Sequence, residues 1–178
     1  GIAGPFDRGK TQLINAPHLP LWNRMPLKGE LETALRAPVL FENDAAVVGL
    51  GEAVYGAGKG HRIVVYVTVS TGVGGARIVD GRIDPSAMGF EPGHQIIDAD
   101  GTICPSCKNA QGHLEGYVSG AALEKRFQKK AAGIIDAAVW EEQAKWLAYG
   151  LHNMIVHWSP DVVVLGGGMN TREPGIPF

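Results

Sequence analysis

The sequence predicts a folded α/β protein, and three features lead to that class. An apolar strand over residues 62–69 is followed at once by the glycine-rich turn at residues 70–75. A second such pair occurs near the C-terminus, at residues 161–165 and 166–168. Helical patterns lie between them, and strands that alternate with glycine turns and helices are typical of α/β folds.

In the N-terminal part of the chain, residues 1–37 are rich in turns, with one short helix predicted over residues 27–35. Residues 38–41 are predicted to form a buried strand. A helix of small residues then begins at Asn43 or Asp44, since either residue type is a common N-cap. The residues of this helix that we expect to face the interior are Val47, Leu50 and Val54.

In the rest of the chain, a second strand is predicted over residues 76–79, and Asp80-Gly81 is a strong hairpin signal before Arg82. Helices are predicted over residues 120–130 and 141–158. Pro160 ends the longer helix and precedes the last strand.

Composition excludes several classes of function. Hydrophobic residues make up 45% of the 178 residues and charged residues 19%, which indicates a folded protein and argues against disorder. A net charge of −2 argues against a nucleic-acid partner. No apolar run approaches the ~20 residues that span a bilayer, so we expect no membrane association and a cytoplasmic location. The 25 glycines cluster between apolar runs, where a backbone can approach a ligand closely.

The first candidate site is Glu42-Asn43-Asp44, between a predicted strand and a helix. Ligands of open α/β sheets bind at the carboxyl ends of strands, where a carboxylate can accept a proton and an amide can bind a substrate. The alternative is that these residues only cap the helix.

The second candidate site is the turn at residues 70–75. Backbone amides in a glycine turn can bind phosphate, and a neighbouring hydroxyl can add a hydrogen bond. A simple hairpin turn is an equal alternative on the pattern alone.

The third candidate site is formed by His94, Cys104, Cys107 and His113. Two thiolates and two imidazoles suit tetrahedral Zn²⁺, and four protein ligands make a closed, structural site. A redox pair or inert thiols are the alternatives. Glu91 and Glu115 bracket this segment, so a metal would fix their orientation, although surface carboxylates are the usual alternative.

Together these segments resemble the ROK family of sugar kinases and sugar-responsive repressors, its glucokinase-like members in particular. Residues 1–7 resemble the family's Gly-x-Pro-Gly-x-Val-Asp segment, and residues 42–45 its Glu-Asn-Asp-Ala motif. Residues 68–75 resemble its second phosphate motif, and residues 91–94 match its Glu-x-Gly-His motif. Residues 162–168 resemble its adenosine-site strand and glycine turn.

The resemblance implies the actin-like ATPase (ribonuclease H-like) fold and phosphorylation of a hexose or N-acetylhexosamine hydroxyl, with Asp44 as the catalytic base. ATP is the implied donor and polyphosphate the alternative. The implied sugar contacts are Asn43, Glu91, His94 and Glu115. The implied phosphate or nucleotide contacts are Thr71, Gly72, Gly74, Gly167 and Gly168. The resemblance also implies a structural Zn²⁺, ATP and Mg²⁺ in the complete enzyme, and we expect a homodimer.

Two departures from the family pattern affect these expectations. In the zinc loop, His113 stands where the family has a third cysteine, and histidine is also a competent zinc ligand. The family's opening Asp-x-Gly-Gly-Thr-Lys hairpin, which binds phosphate and Mg²⁺, has no counterpart. We therefore expect that residues 1–178 alone are not an active kinase.

On the same resemblance, residues 1–43 are expected to be the end of the N-terminal lobe and the crossover. Residues 44–178 are expected to be the C-terminal lobe, with the zinc loop at residues 84–116. The alternative function is a non-catalytic sugar-binding or sugar-sensing module of a ROK repressor-like protein.

Overall fold

A mixed four-stranded sheet lies at the centre of the computed structural model, which describes residues 1–16, 19–87, 89–101 and 111–177. Its strands are β1 (Ile63–Val69), β2 (Val73–Val79), β3 (Arg82–Ile83) and β4 (Val162–Gly166), in the order β3-β2-β1-β4. β2 is antiparallel to both β1 and β3, whereas β4 is parallel to β1. The α/β class predicted from the sequence is therefore confirmed.

Both faces of β1 are covered, which explains its almost continuous apolar run, interrupted by Thr68. Val65, Val67 and Val69 belong to one buried cluster, which includes Leu147 and Met154 of the longest helix. Val64 and Tyr66 belong to a second cluster on the other face. Because side chains alternate along a strand, a central strand buried on both faces needs apolar residues at every position.

The helices are α1 (Leu27–Leu35), α2 (Asp44–Val54), α3 (Glu115–Val118), α4 (Gly120–Phe127) and α5 (Ala137–Trp158). Short 3-10 helices occur at Pro20–Trp22, Pro92–His94 and Ala131–Gly133. α1 has its predicted bounds, and α5 begins earlier than predicted because Asp136 caps it by accepting a hydrogen bond from the Ala138 amide. No helix of the described ranges is both long and apolar enough to cross a membrane.

The N-terminal residues form a third cluster of their own. Leu13, Ala16, Leu27 and Phe41 are buried together, and Ile2 and Phe6 are among the residues that pack against them. The proposed division into lobes at residue 43 stays a prediction.

Two predictions for this region are wrong. Residues 38–41 do not form a strand: the neighbouring bridge, from Ile2 to Asn43, is a single pair, and Leu40 is 93% exposed. In α2 the buried residues are Ala45, Ala46, Gly49 and Ala53. The predicted inward position is wrong for Val47, which is exposed, whereas Leu50 does pack against the buried cluster on the sheet. Small residues occupy the buried face because α2 packs closely on the sheet beside Tyr66.

Candidate active site

Asn43 and Asp44 differ in what their side chains do at the start of α2. Asn43 is the N-cap, and its Oδ1 accepts a hydrogen bond of 3.1 Å from the Ala46 amide. Asp44 is the first helical residue, and it is exposed, with Oδ1 accepting from the Ala45 amide at 2.9 Å. The capping alternative is thus confirmed for Asn43, and the helix does not need Asp44 as its N-cap.

The N-terminal segment lies alongside this position. The Ile2 amide donates to the Glu42 carbonyl at 3.0 Å, and Ile2 forms a parallel bridge with Asn43. The Glu42 carboxylate is paired with the Lys10 ammonium group and also accepts a hydrogen bond from the Asn43 amide. The two segments quoted for the family resemblance, residues 1–7 and 42–45, therefore meet in space.

Glu91 and His94 lie at either end of the short helix Pro92–His94, which packs against β2. Gly93 allows this close approach, because a Cβ atom there would lie 3.0 Å from Val73 Cβ and closer still to the Val73 carbonyl oxygen. Pro92 is also buried against the strand, beside Gly75. The backbone of β2 thereby sets the positions of both side chains.

Glu115 begins α3 and reaches the turn that joins β1 to β2. Its side chain is buried, with the residue only 6% exposed, and Oε2 accepts a hydrogen bond of 2.9 Å from the Val73 amide. A buried carboxylate needs such a donor, since an unpaired charge inside a protein is costly. Glu115 is therefore fixed beside Thr71 and Gly72, the two predicted phosphate contacts in that turn.

Glu91 lies within electrostatic range of three other predicted site residues, His94, Glu115 and Asp44. Burial raises the pKa of Glu91, and the negative charges of Glu115 and Asp44 raise it further, while His94 lowers it. The Glu91 residue as a whole is nevertheless exposed to solvent, so a solute can reach its carboxyl group. A carboxyl group in such a position can receive a polar ligand and is a frequent feature of functional sites.

His94 and His113 face each other, with their ring centroids 5.3 Å apart. His113 Nδ1 is buried without a hydrogen-bond partner in the described part of the chain. Burial, followed by the neighbouring His94, lowers the pKa of His113, which favours the neutral imidazole that binds metal.

These two imidazoles are two of the four predicted zinc ligands. The other half, Cys104 and Cys107, lies outside the described residues. Among residues 1–16, 19–87, 89–101 and 111–177, no group of three or more potential ligands surrounds a metal position. The orphaned His113 nitrogen is the observation that fits a metal ligand here.

Four of the five predicted phosphate or nucleotide contacts lie on two neighbouring turns, whereas Gly74 lies within β2, opposite Thr68. Residues 70–72 join antiparallel β1 and β2, so the hairpin alternative is confirmed for the structure of this turn. The Ser70 and Thr71 carbonyls accept hydrogen bonds from the Gly120 and Ala121 amides at the start of α4.

The second turn, at Gly167 and Gly168, follows β4. Since β4 is parallel to β1, with Gly166 opposite Thr68, the two turns emerge at the same edge of the sheet. Gly167 has a φ of +93° and lies against the Val69 backbone, a position that a side chain would block.

A cleft of about 530 Å³ opens beside Asn43 and Glu91. Its lining also includes Arg8, Lys10 and Asp84, which the sequence analysis did not single out. No spacing rule would have identified them, because Arg8 and Lys10 lie far in sequence from Asp84 and only folding brings the two segments together.

Comparison with known proteins identifies the family. The family model described as "ROK family" matches residues 1–176. The chain belongs to the ROK family. Within it, the ROK hexokinase from Thermus thermophilus is 31% identical, with a TM-score of 0.78 over 93% of this chain and 60% of the hexokinase.

Two further relatives have named functions. The glucokinase from Streptomyces griseus, solved in complex with glucose and AMPPNP, is 28% identical, with a TM-score of 0.78 over 94% of this chain and 64% of the glucokinase. The xylose repressor of Bacillus subtilis (strain 168) is 32% identical over 98% of this chain and 49% of the repressor. The chain thus spans less than two thirds of each kinase and about half of the repressor.

Proposed function

We propose that this chain carries the sugar-binding and phosphate-binding part of an ATP-dependent sugar kinase. The observation that carries the proposal is the cluster of Asp44, Glu91, His94 and Glu115 around the first half of β2. Ala45 and Pro92, the chain neighbours of Asp44 and Glu91, pack on the adjoining Gly74 and Gly75. Glu115 is hydrogen-bonded to the β1–β2 turn, so this cluster adjoins the turn that bears Thr71 and Gly72. A hydroxyl-rich ligand and a phosphate chain could therefore meet at one place.

The proposed sugar ligands are Asn43, Glu91, His94 and Glu115. Carboxylates accept strong, charge-assisted hydrogen bonds from sugar hydroxyls. The Asn43 amide uses Oδ1 for the helix cap, and its Nδ2 is the donor it can offer to a sugar oxygen. The complex of the related Streptomyces griseus glucokinase with glucose supports a hexose as the substrate class. An N-acetylhexosamine is the alternative that the motif resemblance implies.

The proposed reaction transfers the terminal phosphoryl group of ATP to a sugar hydroxyl. Asp44 accepts the hydroxyl proton as the hydroxyl oxygen forms its bond to the γ-phosphorus. The bond from the γ-phosphorus to the β–γ bridging oxygen breaks, and ADP leaves. The phosphate and nucleotide contacts proposed for this chain are Thr71, Gly72, Gly74, Gly167 and Gly168. Mg²⁺ neutralises phosphate charge when it accompanies ATP.

Zn²⁺ has a structural part in this proposal, with His94, Cys104, Cys107 and His113 as ligands. When bound, it supplies binding energy that orders the surrounding loop. Because Glu91 and Glu115 flank the ligands in sequence, an ordered loop would hold both carboxylates in place.

Asp44→Asn tests the proposal in the protein expressed from the whole gene. The amide still accepts a hydrogen bond from the sugar hydroxyl but cannot take its proton, so sugar affinity should stay within a few fold. Loss of a general base typically lowers the rate ~10²–10⁴-fold. An Asp44→Asn protein with normal turnover would remove Asp44 from the mechanism.

The alternative function is a sugar-binding or sugar-sensing module without catalysis. Its support is the likeness to the xylose repressor over 98% of this chain. Sugar binding measured by calorimetry, with no phosphoryl transfer from ATP or polyphosphate in the same protein, would favour this alternative.

A further inference from the structure

The segment that leads from β3 to Glu91 is attached at both ends to the last residue of α5. At its start, Asp84 is bound to Arg77, whose side chain also contacts the backbone of Trp158. At its end, the Phe90 ring packs on the Trp158 ring. Glu91 follows Phe90 directly, so both attachments lie close to a proposed sugar ligand.

Arg77 makes the first attachment from the middle of β2. Its Nη1 group pairs with the Asp84 carboxylate, and its Nε donates to the Trp158 carbonyl at 3.1 Å. The Asp84 amide also donates to the Arg77 carbonyl at 2.9 Å. The paired side chains are 24% and 26% exposed, so solvent screens this pair less than an ordinary surface ion pair.

The chemistry of this contact requires an arginine. The last carbonyls of a helix have no partner within the helix and carry its negative end, so a cation there is favourable. Only a guanidinium group offers several fixed N–H donors that can bind a carboxylate and a carbonyl together. Arg77 thereby joins β2, the Asp84 carboxylate and α5 at one point.

The ring contact makes the second attachment. The Phe90 and Trp158 centroids are 5.0 Å apart at an interplanar angle of 69°, an edge-to-face arrangement that aromatic pairs favour. Beyond Glu91, Pro92 and Gly93 are buried against β2. Glu91 is therefore held on both sides in sequence.

We propose that Arg77 is a positioning residue for Glu91, acting with Trp158 to hold the segment before Glu91 in the place that sugar binding requires. The proposal rests on the proposed sugar site. Asp84, Phe90 and residues 85–87 also line the cleft next to Asn43, so the same attachment shapes the wall of that cleft.

The test compares Arg77→Met with Arg62→Met as a matched control. Arg62 precedes β1 and pairs with Asp80, which directly follows β2, and that pair is 73% and 64% exposed. Hydrogen exchange is measured for residues 84–97 and for β1, and calorimetry follows binding of glucose, mannose, fructose and N-acetylmannosamine. Arg77→Met should accelerate exchange at residues 84–97 but not in β1, and should weaken sugar binding about 2- to 30-fold. Arg62→Met should change neither.

Two further variants complete the design. Arg77→Lys keeps the positive charge but loses the several fixed N–H donors of the guanidinium group. We therefore expect its exchange rate at residues 84–97 to lie between those of wild type and Arg77→Met. Trp158→Leu removes the ring contact and leaves the carbonyl that accepts from Arg77, and it should also accelerate exchange at residues 84–97.

The outcomes separate this proposal from the proposed function. Unchanged exchange at residues 84–97 in folded Arg77→Met, or equal acceleration in β1, overturns the positioning role whether or not a sugar binds. If Arg77→Met does not fold, unchanged exchange at residues 84–97 in Trp158→Leu overturns the positioning role in the same way. If neither variant folds, the contacts of Arg77 and Trp158 are needed for folding as a whole, which also overturns the positioning role. A wild-type protein that binds none of the four sugars contradicts the proposed function, and the exchange measurement still decides the role of Arg77.

Discussion

Gly93→Ala should displace the Glu91–His94 segment and leave the rest of the fold in place. The new Cβ atom would lie 3.0 Å from Val73 Cβ and 3.2 Å from the Val73 carbonyl carbon, and closer to its oxygen. Carbon atoms pack best at ~3.5–4.0 Å, so the segment must move away from β2 by roughly 0.5–1 Å. β2 cannot yield as easily, because Val73 is paired with Val69 of β1 and its amide is bound by the Glu115 carboxylate.

The expected cost follows from that displacement. Overpacking a well-packed position typically costs ~1–3 kcal/mol. For a chain of this length each 1 kcal/mol lowers the melting temperature by ~2–4 °C, so we expect a decrease of about 2–12 °C. Sugar affinity should fall about tenfold or more, since a displaced Glu91 carboxylate loses a charge-assisted hydrogen bond worth ~1.5–3 kcal/mol.

The assay combines thermal unfolding with calorimetric titration of sugar, and Gly51→Ala is the matched control. Gly51 lies in α2, and a Cβ atom there meets nothing within 4 Å. Alanine should raise the stability of this helix by up to ~1 kcal/mol. If Gly93→Ala melts at or above the wild-type temperature and binds sugar normally, the argument from close packing on β2 is refuted.

Two further predictions concern charge and metal. Because the pKa of Glu91 is raised, the folded protein binds the Glu91 proton more tightly than the unfolded chain does. The stabilisation of the fold by this proton is complete below the ordinary Glu pKa of ~4.3 and is lost as pH rises through the raised pKa. Urea unfolding from pH 4 to 8 should therefore show that Glu91→Gln is more stable than wild type at neutral pH, with the difference shrinking towards pH 4. A Glu91→Gln protein that is less stable than wild type at pH 7 would contradict this prediction. Protein purified without added metal should contain one Zn²⁺ per chain, and Cys104→Ser should lose it; unchanged metal content in that variant would exclude the proposed ligand set.

Local sequence signals located most of the regular structure because each of them acts over a few residues. The apolar run of β1, the Asp80-Gly81 turn and the α1 pattern each predicted an element that the structure contains. The turn has positive φ at both residues, +50° and +70°, as such a hairpin requires. Propensity and turn chemistry of this kind depend on neighbours in sequence.

The failures concern partners that are distant in sequence. Residues 38–41 have the composition of a strand, but a strand also needs a neighbour, and the described bridge nearby is the single pair of Ile2 and Asn43. The inward face of α2 could not be predicted from its valines, because the close approach of the sheet at Tyr66 admits only small side chains.

The same difference between local signals and distant partners applies to the candidate site. The residue types and motif spacing were enough to select Asn43, Asp44, Glu91, His94 and Glu115 and to predict the family, which the comparisons confirm. Only the tertiary structure assigned the helix cap to Asn43, placed Glu115 on the Val73 amide and joined Arg77 to both Asp84 and Trp158. Motifs are local and survive in a linear sequence, whereas a hydrogen bond between residues 42 or 81 positions apart exists only after the chain has folded.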